Sequence, residues 1–117
     1  MKYLCLIYNQ EKNLAGYTKA QWDSLKDEYG AFTGSIKASG HHLAGEGLQH
    51  TPAAKTVRVR DGKVSTTDGP FAETTEQLGG FYLIEARDLN DAIQVASKIP
   101  SSRMGSIEVR PIMEFTQ

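Results

Sequence analysis

An apolar stripe between Thr18 and Gly40 constrains the fold of this chain more than any other feature of its sequence. Large side chains recur there at spacings of three and four residues, which places them on one face of an α-helix. They are Trp22, Leu25, Tyr29, Phe32 and Ile36. Thr18 and Gln21 have the spacing of a capping box, and Gly40 suits the left-handed position after a helix end. The pattern predicts a helix of about five turns that packs against another layer, with Trp22 as its anchor.

Strand-like segments lie on both sides of this helix, and a second helix follows them. The predicted strands are 3–8, 42–48, 81–85 and 107–113. The first is apolar at both parities, which is typical of a strand covered on both faces. Pro111 assigns the last strand to a sheet edge or a bulge. The second helix is expected to begin at Asp88 and to be stopped by Pro100. Its expected buried stripe consists of Leu89, Ala92, Ile93, Ala96 and Ile99.

Residues 57–66 predict a β-hairpin, because Asp61-Gly62 tolerates the positive φ angles of a type I′ turn. Its register would place Val59 opposite Val64. Without the hairpin the order is βαββαβ, so the predicted fold is α+β and ferredoxin-like, an antiparallel sheet with two helices on one face. The chain 1–117 is expected to form a single domain. The second face of the sheet would stay open, and we expect a second copy of the chain to cover it as a homodimer.

Composition excludes several classes of function. With 117 residues, a net charge of −1 and scattered Lys and Arg, the chain has no electrostatic footprint for nucleic acid or an anionic membrane. Its single cysteine, Cys5, excludes an internal disulfide framework. The segment 3–8 is shorter than a signal-peptide core, and no apolar run approaches the ~18 residues of a membrane span. The expected location is therefore cytoplasmic.

The acidic loop, residues 68–76 (DGPFAETTE), is the strongest candidate site. Asp68 and Glu73 are the candidate catalytic groups and Glu76 a weaker one, since neighbouring carboxylates that split their pKa values suit proton transfer. Pro70 and Phe71 would form the wall of a pocket and contact a ligand. Alternatively, the loop is a solvated turn whose carboxylates cap local backbone groups.

Two further residues are weaker candidates for ligand binding. Glu46 lies between two glycines in a predicted strand, and Arg58 could bind a carboxylate through its planar fork. The histidines do not predict a metal site: His41 and His42 are adjacent and point to opposite faces. His42 and His50 are too far apart along a strand to share an ion. No metal or cofactor is expected, and the histidines are interpreted as surface residues.

Several motifs together resemble one family. They are Gly45-Glu46-Gly47-Leu48, residues 56–62 (TVRVRDG), residues 68–74 (DGPFAET), residues 76–81 (EQLGGF) and Glu108-Val109-Arg110-Pro111. Over nearly the whole chain they resemble the DGPF branch of the YCII-related family. The resemblance implies a dimeric α+β barrel similar to that of muconolactone isomerase and a setting linked to extracytoplasmic-function sigma factors. It implies no particular reaction.

The chain departs from that family at one point. Other YCII-related proteins carry a His near the start of the first helix and an Asp before the Pro that ends the second. Here the first helix has no His, and Ile99 precedes Pro100. Two functions therefore stay open. One is a small-molecule enzyme of isomerase or lyase type that uses the carboxylates of the acidic loop. The other is a non-catalytic ligand-binding or regulatory dimer.

Overall fold

The computed structural model describes residues 1–115. In chain order the elements are β1 (Lys2–Asn9), α1 (Glu11–Leu14), α2 (Lys19–Ala38), β2 (His42–Gly47), β3 (Lys55–Arg60), β4 (Lys63–Asp68), β5 (Gln77–Glu85), α3 (Leu89–Ala96) and β6 (Ser106–Pro111). Single 3₁₀ turns lie at Thr51–Ala53 and Pro100–Arg103. Four strands form an antiparallel sheet in the order β2-β5-β1-β6, while β3 and β4 pair only with each other. The predicted ferredoxin-like α+β fold with an inserted hairpin is confirmed.

Helix α2 begins and ends as the sequence predicts. The Thr18 hydroxyl accepts a hydrogen bond from the Gln21 backbone N–H at 3.2 Å, and the Gln21 side chain accepts one from the Thr18 N–H at 2.8 Å. Gly40 has a φ of 83°. Within the apolar stripe only Phe32 and Ile36 are buried. Trp22 is only partly buried, less so than Phe32 and Ile36, and its role as the anchor of the helix stays a prediction.

The core lies between the helices and one face of the sheet. Alternate residues of β1 point into it, namely Tyr3, Cys5 and Ile7, and their sheet partners Ile84 and Tyr82 join them. Cys5 has no exposed surface, and burial raises the pKa of its thiol to about 11. The thiol is therefore protonated at neutral pH and packs as a small apolar side chain.

Helix α3 differs from its prediction in the residues that it buries. Asp88 caps it through a hydrogen bond from the Asp91 N–H at 2.8 Å. Ala92, Val95, Ala96 and Ile99 face the core. Leu89 and Ile93, both expected in the buried stripe, are 47% exposed. The helix is only eight residues long, and packing rather than composition sets its rotation about its axis.

Strand β5 is four residues longer at its start than predicted. It begins at Gln77, so Gly79 and Gly80 lie inside the strand. A Cβ at Gly80 would lie 2.8 Å from the Glu46 carbonyl oxygen. The neighbouring strand β2 therefore approaches too closely for any side chain there. Opposite this segment the pairing with β1 shifts between Ile7 and Tyr8.

The face of the sheet away from the helices carries apolar residues that no element of residues 1–115 buries completely. Leu4, Leu6, Tyr8, Phe81 and Leu83 are half-buried there. We call these five residues the open face. At its edge, Glu108 and Arg110 form an ion pair. Pro111 lies in β6, which is an edge strand as predicted.

The β3–β4 hairpin has the predicted turn but projects from the domain. Asp61 and Gly62 have φ angles of 51° and 74°, and Val59 lies opposite Val64. Both valines are more than half exposed. The radius of gyration is 16.3 Å, compared with about 13 Å for a compact domain of this length. Within residues 1–115, no helix combines the length and the apolar character that a membrane crossing requires.

Candidate ligand cavity

A cavity of about 440 Å³ lies between α2 and the β2–β5 side of the sheet. Trp22, Leu25 and Tyr29 line it from the helix, while Gly45 and Tyr82 line it from the sheet. The N-terminal half of the apolar stripe is half-buried because it faces this space instead of side chains of the sheet. A cavity of a few hundred Å³ with a mainly apolar wall has the dimensions of a small-molecule site.

The position of Tyr82 creates much of the cavity wall. Its ring lies directly over Gly45, where an added Cβ would be 2.6 Å from a ring carbon. The ring packs edge-on against Phe32 at a centroid distance of 5.1 Å, and the Tyr82 hydroxyl is 2.7 Å from that of Thr33. Glycine at position 45 therefore allows the tyrosine to lie against β2, where helix α2 holds it in place.

A cluster of three polar side chains adjoins the apolar wall. The Tyr29 hydroxyl is 2.5 Å from Ser101 Oγ, to which Asn9 Nδ2 donates at 3.2 Å. All three residues line the cavity, and Ser101 is only 1% exposed. Burial raises the pKa of Tyr29, an effect that the hydrogen bond with Ser101 partly offsets. Tyr29 is therefore a neutral phenol at physiological pH, able to donate a hydrogen bond.

Glu11 holds together one end of the cavity. Its carboxylate accepts hydrogen bonds from the Thr51 N–H at 2.8 Å and the Thr51 hydroxyl at 2.7 Å. Its own N–H donates to Gln77 Oε1 at 2.9 Å. These bonds tie α1 and the 51–53 turn to the start of β5. Neither the helix at residues 11–14 nor the 3₁₀ turn at residues 51–53 was predicted from the sequence.

Only one of the candidate residues from the sequence, Glu46, borders the cavity. Its strand register pairs it with Phe81, so alternation places its side chain on the open face. Asp68 ends β4 and forms an exposed ion pair with Lys55. Phe71 is 81% exposed and forms no wall of this cavity.

The other candidate residues are also outside the cavity lining. Glu73, Pro70 and Arg58 are exposed, and Glu76 accepts a hydrogen bond from the Ser106 hydroxyl at 2.7 Å. The role of the acidic loop in binding or catalysis, and that of Arg58, stays a prediction.

The three histidines have different environments. His42 and His50 border the cavity. His41 Nε2 is 3.1 Å from Asp91 Oδ2, and its Nδ1 is 2.6 Å from the Ser39 hydroxyl. It joins the end of α2 to the start of α3. In the described chain, no group of three or more His, Cys, Asp or Glu side chains is arranged to hold a metal ion.

Sequence reasoning missed the polar cluster because its members come from three distant segments. Asn9 ends β1, Tyr29 lies in α2, and Ser101 lies in the 3₁₀ turn after Pro100. The position of Tyr29 within the apolar stripe was the only signal. It predicted that the ring would be buried and gave no indication of a partner for the hydroxyl.

The fold defines a ferredoxin-like α+β protein with a cavity between its long helix and its sheet. The family model of the YCII-related domain matches residues 1–116, and the chain belongs to that family. It is 35% identical over 114 residues to an uncharacterised protein of Rhizobium meliloti, covering 96% of this chain and 92% of the relative. The family that the motifs indicated is thereby confirmed, and the match is compatible with the DGPF branch.

Proposed function

We propose that this YCII-related protein binds a small organic molecule in the cavity between α2 and the sheet. The observation that carries this proposal is the hydroxyl pair of Tyr29 and Ser101 in the wall of an otherwise largely apolar space. Apolar walls supply affinity, and a few placed polar groups supply orientation. Trp22 and Leu25 would contact the body of the ligand. The protein would act in the cytoplasm as a ligand-binding module. Its regulatory role would be linked to sigma factors.

Native mass spectrometry of the purified protein tests this function. We expect a co-purified or added molecule of a few hundred daltons, and Leu25→Trp should reduce its occupancy by filling the cavity. Asp27→Trp is the matched control, because Asp27 lies on α2, is exposed and does not line the cavity. Equal occupancy in both variants would contradict binding at this place.

We further propose that the protein is a homodimer formed through the open face. Five half-buried apolar side chains on one side of a sheet form the kind of patch that marks an interface. A second copy offers the same surface, so a two-fold arrangement would bury both at once. Val59 and Val64 of the β3–β4 hairpin are also exposed and add apolar surface outside the core.

An acid–base enzyme of isomerase or lyase type is the second candidate. It is supported by the exposure of Phe71 beside Asp68 and Glu73, because a large aromatic side chain left 81% exposed is available to a ligand or a partner. Since the acidic loop does not line the cavity of its own chain, a partner copy would have to bring it to a ligand. Asp68→Asn and Glu73→Gln remove charge and keep shape. If both variants turn over and bind as the wild type does, the loop has no catalytic role.

A further inference from the structure

We infer that the cavity recognises a neutral organic molecule through a carbonyl oxygen, which accepts a hydrogen bond from the Tyr29 phenol. This inference rests on the proposed ligand-binding function and adds the chemical class of the ligand. Its basis is the number of protons and acceptors in the polar cluster.

The direction of the hydrogen bonds follows from the chemistry of three groups. Asn9 Nδ2 can only donate, so Ser101 Oγ accepts from it. The Ser101 hydroxyl must place its own proton elsewhere, and among the side-chain hydrogen bonds of residues 1–115 the Tyr29 oxygen is its one acceptor. The reverse direction would leave a buried serine proton without an acceptor in the protein, which is unfavourable. The order of donation is therefore Asn9 to Ser101 to Tyr29.

This order leaves the Tyr29 proton unused. Tyr29 lines the cavity, and burial keeps its phenol protonated, so the free O–H is available to a ligand. The Thr33 and Tyr82 hydroxyls form a second pair at 2.7 Å in the same wall. Two hydroxyls carry two protons, and their mutual bond uses one. Both pairs therefore leave one donor for an acceptor atom in the cavity, either a water oxygen or an atom of a ligand that displaces the water.

The charges around the cavity favour a neutral ligand. In the described chain, the side chains with a formal charge among the lining residues are Lys26, Glu11 and Glu46. Strand alternation places the Glu46 side chain on the open face, so Lys26 and Glu11 remain and their charges cancel, while the Glu11 carboxylate is occupied by Thr51. Lys26 is exposed. An anion would meet no matched pair of cationic groups, whereas a carbonyl oxygen requires only the unused phenol proton.

Acetophenone and α-methylstyrene provide a matched pair of probes, because they differ by a carbonyl oxygen against a methylene group. Trp22 is the one tryptophan of the chain and lines the cavity, so the NMR signal of its indole N–H reports binding. We expect Tyr29→Phe to raise the Kd of acetophenone about fivefold, which corresponds to the loss of one net hydrogen bond of ~1 kcal/mol. The same variant should leave the Kd of α-methylstyrene within about twofold, because the ring is retained.

Tyr17→Phe is the control substitution. Its hydroxyl contacts Met104 Sδ at 3.0 Å and its ring packs near Trp22, but it does not line the cavity. It should leave both affinities unchanged. If Tyr29→Phe raises the Kd of both probes equally, or of neither, the carbonyl inference is overturned while the ligand-binding function remains in place. If neither probe shifts the Trp22 signal in the wild-type protein, the proposed function fails and the inference with it.

A second measurement needs no variant. The infrared stretch of ¹³C-labelled acetophenone falls when its carbonyl accepts a hydrogen bond. Bound to the wild-type protein, the probe should absorb near its frequency in an alcohol. Absorption near its frequency in an alkane would show an unbonded carbonyl and would overturn the inference.

Discussion

Gly45→Ala should destabilise the protein, because Gly45 provides the space in which the Tyr82 ring lies. A Cβ at this position would be 2.6 Å and 2.9 Å from two ring carbons and 3.3 Å from the Phe81 carbonyl oxygen. The ring cannot easily retreat. Phe32 packs against the Tyr82 ring edge-on, and the Tyr82 hydroxyl is hydrogen-bonded to that of Thr33.

The expected cost follows from two opposing effects. Overpacking of a fixed neighbour costs about 1–3 kcal/mol. Replacing glycine by alanine also restricts the unfolded chain, which stabilises by about 0.4–1 kcal/mol at a site without strain. Unfolding entropy near 2.1 cal/mol/K per residue gives about 0.25 kcal/mol/K here, so each kcal/mol lowers Tm by about 4 °C. The midpoints of the two ranges leave a net cost of about 1.3 kcal/mol, so we expect Gly45→Ala to lower Tm by about 5 °C.

Gly47→Ala is the matched control, because it makes the same change two residues further along β2. An added Cβ there meets no atom within 4 Å. Thermal unfolding followed by circular dichroism should show this variant at or slightly above the wild-type Tm. If the two variants melt within about 1 °C of each other, Tyr82 does not occupy the position described here and the geometry of the cavity wall is wrong.

Three further predictions concern the helix, the pH dependence and the dimer. Trp22→Ala should cost less than the ~3–5 kcal/mol of a fully buried tryptophan, since the ring borders a cavity and is only partly buried; a loss of that full size in chemical denaturation would show a packed anchor. Hydrogen bonds from the Arg87 N–H and then from His41 hold the pKa of Asp91 below its ordinary value. The carboxylate therefore stabilises the fold above about pH 4 and loses this effect as the pH falls through its folded value. Asp91→Asn should be less stable than wild type at pH 7, and the difference should shrink below about pH 4; a difference independent of pH would exclude this linkage. Leu6→Lys on the open face should convert a dimer to a 12.9 kDa monomer in light scattering, and a wild-type protein that is already monomeric would contradict the interface.

Short-range patterns determined the bounds of α2, the start of α3 and the turn of the hairpin. The capping box of α2, the cap at Asp88 and the positive φ angles at Asp61 and Gly62 depend on residues within four positions of each other. Such interactions form in the same way whatever the rest of the chain does. The alternation of apolar residues and the order of elements then specified a ferredoxin-like sheet. The motifs indicated the family, which the matching family model confirmed.

The tertiary structure alone decided which of these residues surround a cavity. Asn9, Tyr29 and Ser101 are separated by up to 92 positions in the chain, and only the packing of the 3₁₀ turn against α2 and the end of β1 joins them. Burial was also decided at this level. Phe71 is apolar and exposed, whereas Ser101 is polar and buried. Hydrophobicity gives the tendency of a side chain to leave water, but its burial depends on whether another segment covers it, and the contacts that decide this are distant in sequence.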